Sequence, residues 1–529
     1  MIRKPLADWE ATACELLVIG GGATGLGVAL QAALEGQRVV LVEANDFASG
    51  TSSRSTKLLH GGVRYLAQGR LGLVREALHE RARVLQLAPH LAQPLPFVVA
   101  TPQWHTWATM ALGLKLYQWL AGRLSLGPTE FLNAQALAHS LPPGLPTGRG
   151  VRYWDGQFDD ARLALALAQS AQQAGALVRN HTRVTALRPQ DKAKPAGWVV
   201  TLQDSVTGET REIPARCVVN ATGVWVDGLR QLARTGAGQA PARALVQASQ
   251  GVHLVVDRAT LPLQQAVLMP RTRDGRVLFA VPWLGATVIG TTDTPRADAP
   301  FEPAPLASEL AFLREETERL LGLRLRPEQV RSVWVGLRPL VGSGENTSTL
   351  SREHTVVREG AGFWTVTGGK WTTYRSMAED VLAQVQRQGD LSAPACAANT
   401  REHRLFGAPA ASTSGVSLRD APGPHLLGTQ ARVLAGLPGH GVGLGLGLTE
   451  AMVRHSAREE WAVTVEDMLA RRWRALFLDS RLAERMAPRV AQLLREETGL
   501  DPQLEAFVAL CRRYRWPGSD PEPASGPAD

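Results

Sequence analysis

The sequence predicts an α/β protein that also contains an antiparallel β-sheet domain and a C-terminal α-helical domain. Three observations predict this fold class. A strand, a glycine-rich turn, a helix and a second strand follow one another between residues 16 and 42. Short β-branched runs separated by turn residues cluster between residues 198 and 290, which is typical of an antiparallel sheet. A helical apolar pattern returns from Thr449 to about Arg515.

The first βαβ unit carries a glycine pattern that indicates a bound dinucleotide. Gly20, Gly22 and Gly25 form a GxGxxG turn between strand and helix, and Glu43 follows the second strand. Such a turn lets the backbone approach a pyrophosphate at a helix N-terminus, while the acid accepts hydrogen bonds from a ribose. An acid rather than an arginine here favours FAD or NAD over NADP. A Rossmann-like domain is predicted, and a glycine turn without a ligand is the alternative.

The next segment, residues 50–66, is rich in hydroxyl groups and cations. Serine and threonine with free backbone N–H groups suit a phosphate, and Arg54, Lys57 and Arg64 can bind a second anion. We therefore expect this segment to face phosphate groups. A solvated basic loop is the alternative.

Further elements follow in order along the chain. Helices are predicted over 71–87 and 161–174, and strands over 198–202, 217–220, 252–256, 277–281 and 287–290. Glycine-flanked motifs lie at 220–223, 290–293 and 368–375. The first two are explained equally well as simple turns, whereas the third places Lys370 and free N–H groups at a helix start. Arg338 is followed by a proline that restricts its backbone.

The chain is predicted to form three units. A first region covers 1–395, with a dinucleotide-binding domain at about 1–75, 150–235 and 330–390 and a second domain at about 76–149 and 236–329. A Pro/Gly/Ser/Ala-rich stretch at 407–424 marks the start of a different composition. An α-helical domain is therefore expected over 396–516, followed by a disordered tail at 517–529.

Composition excludes several classes of protein. The 529 residues are 44% apolar and 20% charged, which indicates a globular chain with a large core and excludes a disordered or fibrous one. The net charge of +8 suggests nucleic acid, but residues 53–123 alone contribute nine basic and two acidic residues, or +7. Because the charge is so localised and only six residues are lysine, no nucleic-acid partner is expected.

The cysteines, the first residues and the apolar segments predict the cellular compartment and the contact with a membrane. The four cysteines show no metal-ligand spacing, so a reducing compartment and no metal site are expected. The first 15 residues lack the apolar core of a secretory signal, and no apolar run is long enough to span a bilayer. The Trp-rich segment 104–126 is suited to lie on a membrane surface, and a buried helix pair is the alternative.

Seven motifs, in this order, closely resemble the FAD-dependent glycerol-3-phosphate dehydrogenases. They are GGGATG with Glu43, TKLLHGGVRYL, FDDARL, VNATGVW, GTTDT, GLRPL and GGKWTTYR. HGGVRYL and GGKWTTYR are the specific ones, and VEDMLARRWRALFLD at 465–479 is similar to the C-terminal cap of the family. The sequence departs from the family pattern at four positions: Gln31, Glu35, Val224 and Trp371.

The resemblance implies an FAD-binding fold of the glutathione-reductase and D-amino-acid-oxidase type. It implies oxidation of sn-glycerol 3-phosphate to dihydroxyacetone phosphate, with electrons passed to membrane ubiquinone or menaquinone. We therefore expect a cytoplasmic protein attached peripherally to the inner face of the cytoplasmic membrane, and the resemblance allows a homodimer.

The resemblance also assigns site residues. Arg64, Arg338 and Arg352 are expected to bind the substrate phosphate, Tyr65 to orient the substrate, and Lys370 to lie beside the flavin ring. Cofactor-binding residues are expected to be Gly20, Gly22, Gly25, Glu43, Thr51, Ser52, Ser53, Lys57, Ala221, Gly223, Gly369, Lys370 and Thr372.

His253 is favoured as the base because its ordinary pKa, about 6.5, suits proton transfer near neutrality. A structural histidine within a strand is the alternative for it. For the whole protein, the alternatives are an oxygen-reducing glycerol-3-phosphate oxidase and an amine or amino-acid flavin oxidase of the same fold. The amine oxidase has less use for several phosphate-binding arginines.

Overall fold

The structure is a computed structural model, and it describes most of the chain. The parts that are not described are residues 1, 2, 4, 5, 7, 8, 10–13, 68, 102, 103, 144, 146, 147, 191–196, 271, 343–352, 398, 399, 411–414 and 520–529, and the side chains of Arg64 and Ala67. Most of the predicted disordered tail, and Arg352, therefore lie outside the described residues.

The described elements are strands and helices, which are numbered separately in chain order. The strands are β1 (Cys14–Ile19), β2 (Val39–Val42), β3 (Leu58–Leu59), β4 (Ala92–Thr101), β5 (Glu130–Leu132), β6 (Arg149–Phe158), β7 (Leu177–Arg179), β8 (Thr182–Pro189), β9 (Trp198–Asp204), β10 (Thr210–Asn220), β11 (Val246–Asp257), β12 (Ala266–Met269), β13 (Leu278–Trp283), β14 (Ala286–Gly290), β15 (Thr294–Arg296), β16 (Val330–Val341), β17 (Thr355–Gly360), β18 (Phe363–Thr367), β19 (Gly443–Gly445) and β20 (Leu448–Thr449). The helices are α1 (Ala23–Leu34), α2 (Val63–Ala67), α3 (Leu71–Leu87), α4 (Trp104–Ala121), α5 (Ala134–Ser140), α6 (Asp160–Gln173), α7 (Val226–Gly236), α8 (Ala307–Leu321), α9 (Tyr374–Arg387), α10 (Glu450–Glu459), α11 (Ala475–Leu478), α12 (Ser480–Thr498) and α13 (Leu504–Arg513).

The first sheet forms the Rossmann-like part of the molecule. Its strand order is β17-β18-β10-β1-β2-β7, and the five strands from β18 to β7 pair in parallel. Strand β2 is wholly apolar and β1 nearly so, as expected in the middle of a parallel sheet that is covered on both faces. Helices α1, α6 and α9 pack into one core with it. The predicted βαβ unit is confirmed, and the carboxyl ends of β1 and β10 meet at one edge, where ligands bind in such sheets.

The second sheet is mainly antiparallel, as predicted. Its order is β15-β11-β14-β13-β12-β4-β6-β3, with β16 paired to β11 and a single parallel pair, β4 with β12, among the described strands. Strands β6 and β16 belong to this second sheet, because β6 pairs with β4, and β16 with β11, over nearly their full lengths. Almost all of both strands lies in the segments given above to the predicted dinucleotide-binding domain, about 150–235 and 330–390, and these domain bounds stay a prediction.

The C-terminal unit is helical, as predicted. Helices α10 to α13 and a π-helical turn (Asp467–Arg472) enclose one apolar core. Trp283 and Trp334 of the second sheet belong to that same core, so the C-terminal unit packs directly on the sheet. Within the described residues, we find no helix that combines the length and apolarity needed to cross a membrane.

Candidate active site

The glycine turn after β1 brings three backbone segments into close contact. A Cβ on Gly25 would lie 1.9 Å from the Gly20 carbonyl oxygen, and one on Gly20 would lie 2.5 Å from that of Ala221. Gly20 also has φ +116, a conformation that favours glycine. Helix α1 begins after Gly22 without an acidic residue in its first turn, so its N-terminus can accept an anion.

Glu43 follows β2 and closes this end of the site. Its Oε2 accepts a hydrogen bond of 2.7 Å from the Gly21 N–H, and its Oε1 accepts one of 2.9 Å from Asn45. Burial raises the pKa of Glu43, although both hydrogen bonds act in the opposite direction. The carboxylate is therefore fixed beside the glycine turn, where a ribose of a bound dinucleotide is expected.

A single cavity of about 1920 Å³ connects this turn to the second sheet. It starts at Glu43 and Thr182, passes Ser52 and Ala221, and ends among residues of β11, β16 and the segment before α9. The predicted site residues that line it are Gly20, Gly22, Glu43, Thr51, Ser52, Tyr65, Ala221, Gly223, His253, Arg338, Gly369, Lys370 and Thr372. The cavity is elongated and has the glycine turn at one end, an arrangement that fits FAD. The turn itself requires glycine at positions 20 and 25, because a side chain there would meet backbone atoms.

His253 lies on β11 at the sheet end of the cavity. It is 2% exposed, and its ring stacks on Trp334 with centroids 4.0 Å apart. Its Nε2 and the hydroxyl of Thr56 form a hydrogen bond of 3.0 Å, while Nδ1 is buried without a hydrogen-bond partner among the described residues. Burial, followed by Arg338 and Lys57, lowers the pKa of His253 well below its ordinary value. The imidazole is therefore neutral at pH 7 and able to accept a proton.

Arg338 lies near His253, on the neighbouring strand β16. Its guanidinium donates to Thr291 Oγ1 at 3.1 Å and to the Thr292 carbonyl at 3.2 Å. Arg276 donates to the Asp293 carbonyl at 3.0 Å and lines the same cavity. Two cations thus converge on one end of the cavity, where they can bind an anionic group.

Lys370 precedes the short helical turn that leads into α9. The two glycines before it have φ +78 and φ +76, and a Cβ on Gly369 would lie 2.4 Å from Met377 Sδ. These glycines direct the chain so that Lys370 Nζ lies 4.1 Å from the ring centroid of Tyr65. The ammonium and the phenol therefore lie together on the cavity wall.

The structure does not bring every predicted residue to the cavity. Gly25, Ser53 and Lys57 do not line it. Lys57 is wholly buried, and its Nζ donates to Asp160 Oδ2 at 2.8 Å, so its side chain points into the protein rather than toward a phosphate. Arg54 does line the cavity, but it is buried and paired with Glu302.

Two of the predicted phosphate-binding arginines lie outside the description. The side chain of Arg64 on α2 is not described, and Arg352 is not described at all.

Sequence reasoning missed two residues of the site. In the sequence Thr56 is only one member of a hydroxyl-rich segment, and Arg276 lies in a loop without a recognisable motif. Only pairing in the folded sheet brings Arg276 to Asp293. Trp371, a departure from the family pattern, donates its indole N–H to the Ser52 carbonyl at 2.8 Å and so becomes part of the cavity wall.

Comparisons with known proteins identify the family of the chain. The family described as FAD dependent oxidoreductase matches residues 15–376, and the C-terminal domain of alpha-glycerophosphate oxidase matches residues 441–505. The mitochondrial glycerol-3-phosphate dehydrogenase of Arabidopsis thaliana is 36% identical over 527 residues, covering 91% of this chain and 82% of that protein. The Homo sapiens mitochondrial enzyme is 37% identical over 529 residues, covering 92% of this chain and 71% of that protein.

Solved structures give the same result. The glycerol-3-phosphate dehydrogenase from Bacillus halodurans, complexed with FAD, has a TM-score of 0.74 and 29% identity, with 97% of both chains covered. The L-alpha-glycerophosphate oxidase from Mycoplasma pneumoniae has a TM-score of 0.56 at 17% identity, covering 70% of this chain and 94% of that one, and shows a shared fold only. The resemblance and the fold class predicted from the sequence are confirmed. This chain belongs to the family of FAD-dependent glycerol-3-phosphate dehydrogenases.

Proposed function

We propose that this protein oxidises sn-glycerol 3-phosphate to dihydroxyacetone phosphate with bound FAD and passes the electrons to a membrane quinone. The observation that carries the proposal is that a neutral histidine, two arginines and a lysine share one cavity with the dinucleotide-binding turn. The family membership supplies the substrate class. When bound, FAD supplies the chemistry that accepts a hydride from C2 of the substrate.

His253 is the base in this proposal. As C2 loses its hydride, the proton of the C2 hydroxyl must leave so that a carbonyl can form. Because Nδ1 of His253 is buried without a hydrogen-bond partner among the described residues, Nε2 is the nitrogen that exchanges the proton. Its lowered pKa keeps the imidazole neutral at pH 7, so the ring is unprotonated when substrate binds, and the same shift makes it a weaker base than an ordinary histidine.

Arg338 and Arg276 bind the phosphate in this proposal. A phosphate carries about −1.5 to −2 charges at pH 7 and needs convergent cations. Both guanidiniums are held by oxygen acceptors around Thr292 and Asp293, which fixes their positions before substrate binds. Arg64 and Arg352, expected to assist them, stay predictions.

Lys370 and Tyr65 orient the reacting part of the substrate. The ammonium of Lys370 offers a positive charge to the C2 oxygen at the cavity wall, and the ring of Tyr65 packs against that ammonium. Phosphate at one side and ammonium at the other fix the substrate between them, which supplies the orientation that hydride transfer needs.

A quinone acceptor is supported by the apolar side of the cavity. Met110, Leu112 and Leu116 of α4 line it, and Leu112 is also 75% exposed. An apolar path therefore runs from the cavity to the protein surface. Trp104 and Trp119, 71% and 77% exposed, flank this opening on the same helix, so we infer that α4 lies on the membrane surface.

Anaerobic mixing tests the function. Adding sn-glycerol 3-phosphate to the FAD-loaded protein should bleach the visible flavin absorbance, whereas glycine or sarcosine should not. A short-chain ubiquinone should then restore the absorbance faster than oxygen does. Failure to bleach would contradict the substrate, and faster recovery with oxygen would favour the oxidase alternative.

A further inference from the structure

Lys57, whose side chain points away from the cavity, belongs to a buried ionic cluster behind the active site. Its Nζ donates to Asp160 Oδ2 at 2.8 Å and to the Ser53 carbonyl at 2.7 Å, and Lys57 and Asp160 are both 0% exposed. Three aromatic rings surround Nζ at 4.7 to 5.3 Å, those of Trp283, Trp334 and Phe477. We call Lys57, Asp159, Asp160 and Arg474 the buried cluster.

Arg474 brings the C-terminal unit into this cluster. It follows the π-helical turn, is fully buried, and donates to the Ser53 carbonyl at 2.7 Å. Its guanidinium also lies 3.3 Å from Asp160 Oδ1 and 4.1 Å from the centroid of the Phe477 ring. One carbonyl, that of Ser53, thus accepts from cations of two different units. Segment 53–57 is therefore fixed from both sides.

The same segment touches the proposed base. Thr56, next to Lys57, forms the 3.0 Å hydrogen bond with Nε2 of His253. The Trp334 ring provides a second connection, since His253 stacks on it and Lys57 Nζ lies 4.7 Å from its centroid. Two independent contacts therefore lead from the buried cluster to the imidazole.

We propose that Lys57 and Arg474 are positioning residues for His253, acting through Thr56 and Trp334, so that the C-terminal unit completes the proton-accepting site. This proposal rests on the proposed function, in which His253 is the base. The cluster has two cations and two carboxylates, so its charges balance without any group from the cavity.

Lys57 has a measurable electrostatic effect on His253 in this arrangement. Arg338 from β16 and Lys57 from segment 53–57 are the charged groups that face the imidazole and lower its pKa. Burial lowers the pKa of Lys57 to about 7, so Lys57 is charged in the more acidic range where His253 titrates. Removing the Lys57 charge should therefore raise the pKa of His253.

The test compares Lys57→Met with a matched control, Arg162→Met. Arg162 lies on α6, two residues after Asp160, and forms a buried ion pair of 2.7 Å with Glu460 of the C-terminal unit, but it contacts neither segment 53–57 nor the cavity. The His253 pKa is measured by ¹³C-histidine NMR, with His253→Asn to assign the signal, and by the acid limb of the flavin-reduction rate against pH. Lys57→Met should move both upward by about one pH unit. Arg162→Met should leave both unchanged.

Thr56 variants keep the proposal testable if Lys57→Met fails to fold. Thr56→Val should slow flavin reduction about tenfold at unchanged KM, because it removes the hydrogen bond to Nε2, and Thr56→Ser should restore the rate. Arg474→Met should lower the rate in the same way.

Two results would overturn the positioning role. One is a His253 titration in Lys57→Met that matches the wild type, and the other is a wild-type rate in Thr56→Val. If instead His253→Asn retains the wild-type rate and acid limb, the base assignment itself fails.

Discussion

At the residue scale, Arg338 owes its position to oxygen acceptors from a single segment. Thr291, Thr292 and Asp293 follow β14, and all three accept from or pair with its guanidinium. This arrangement leaves the positive charge at the cavity but restricts the rotamers of a long side chain. Little rotamer entropy is then lost when a phosphate binds, which favours arginine over lysine at this position.

Arg338→Ala should raise the KM for sn-glycerol 3-phosphate by about 10- to 100-fold, since a hydrogen bond to a charged group contributes roughly 1.5–3 kcal/mol. Arg338→Lys should give an intermediate KM. The control is Arg331→Ala on the same strand, whose partly exposed side chain pairs with Asp257 at the surface. Steady-state kinetics on FAD-loaded protein measures all three. A wild-type KM in the Arg338→Ala variant would show that Arg338 does not bind the substrate phosphate.

Lys57 and Lys370 show what sequence can and cannot predict at this scale. Both lysines lie in the most specific motifs, next to glycines or hydroxyl groups, and both were expected to face the cofactor. Lys370 lines the cavity, but Lys57 has φ +65 and turns its side chain toward Asp160. A motif predicts that a cation is present, whereas the backbone conformation decides its direction. That direction depends on partners about a hundred residues away along the chain.

At the element scale, the π-helical turn attaches the C-terminal unit to the dinucleotide-binding edge. Asp46 pairs there with Arg471 and Arg472, and Asp467 of the turn accepts from His181 at 2.9 Å. Asp46, His181 and Asp467 are close enough to hold a metal ion, but the two arginines already supply the positive charge that the carboxylates need. We interpret this group as an ionic connection between the two units.

The stability of this connection should depend on pH through His181. Burial would lower the pKa of His181, but the carboxylate of Asp467 outweighs it and the net pKa is raised. The stabilisation is therefore complete below the unfolded pKa of about 6.5 and is lost as pH rises through the higher folded pKa. The pKa of Asp467 is held well below its ordinary value, so Asp467 stays ionised throughout this range.

His181→Asn should consequently lower the Tm by several degrees near pH 6, because a charged hydrogen bond contributes about 1.5–3 kcal/mol. The difference from wild type should shrink as pH rises through the raised folded pKa of His181, because the imidazole loses its charge there. Thermal unfolding followed by circular dichroism at a series of pH values measures it. His139→Asn, on the exposed face of α5, is the control. A Tm difference that does not change with pH would contradict the ion pair.

The sequence predicts a helix or strand where the apolar pattern is local. It does not predict which strands pair when they lie far apart in the chain. The apolar spacing over 71–87 predicts α3 to the residue. For β16 no strand is predicted, and its pairing with β11 joins segments that lie far apart in the chain, which a local pattern cannot identify. Because Arg338 lies on this strand, the sequence could not predict how close Arg338 lies to His253 either.

At the scale of the whole molecule, much of the basic charge between residues 53 and 123 is paired with carboxylates. Five of the nine cations between residues 53 and 123 form ion pairs: Arg54 with Glu302, Lys57 with Asp160, Arg70 with Glu353, Arg81 with Asp155, and Arg83 with Glu80. Lys115 and Arg123 are exposed beside the apolar surface of α4. These two cations can attract anionic lipid beside the apolar side chains of α4.

The apolar surface of α4 should bind membranes through Trp104, Leu112 and Trp119, which recur at intervals of eight and seven residues and so share one helix face. Wild-type protein should sediment with vesicles that contain anionic lipid, because Trp residues anchor at the interface and Lys115 attracts the headgroups. A Leu112→Glu, Trp119→Glu variant should stay in the supernatant, yet still bind FAD and be reduced by sn-glycerol 3-phosphate. Val442→Glu provides the matched control, since Val442 is an exposed apolar residue of the C-terminal unit, 49% exposed, and should sediment like wild type. Co-sedimentation of the α4 variant would show that this helix does not carry the attachment.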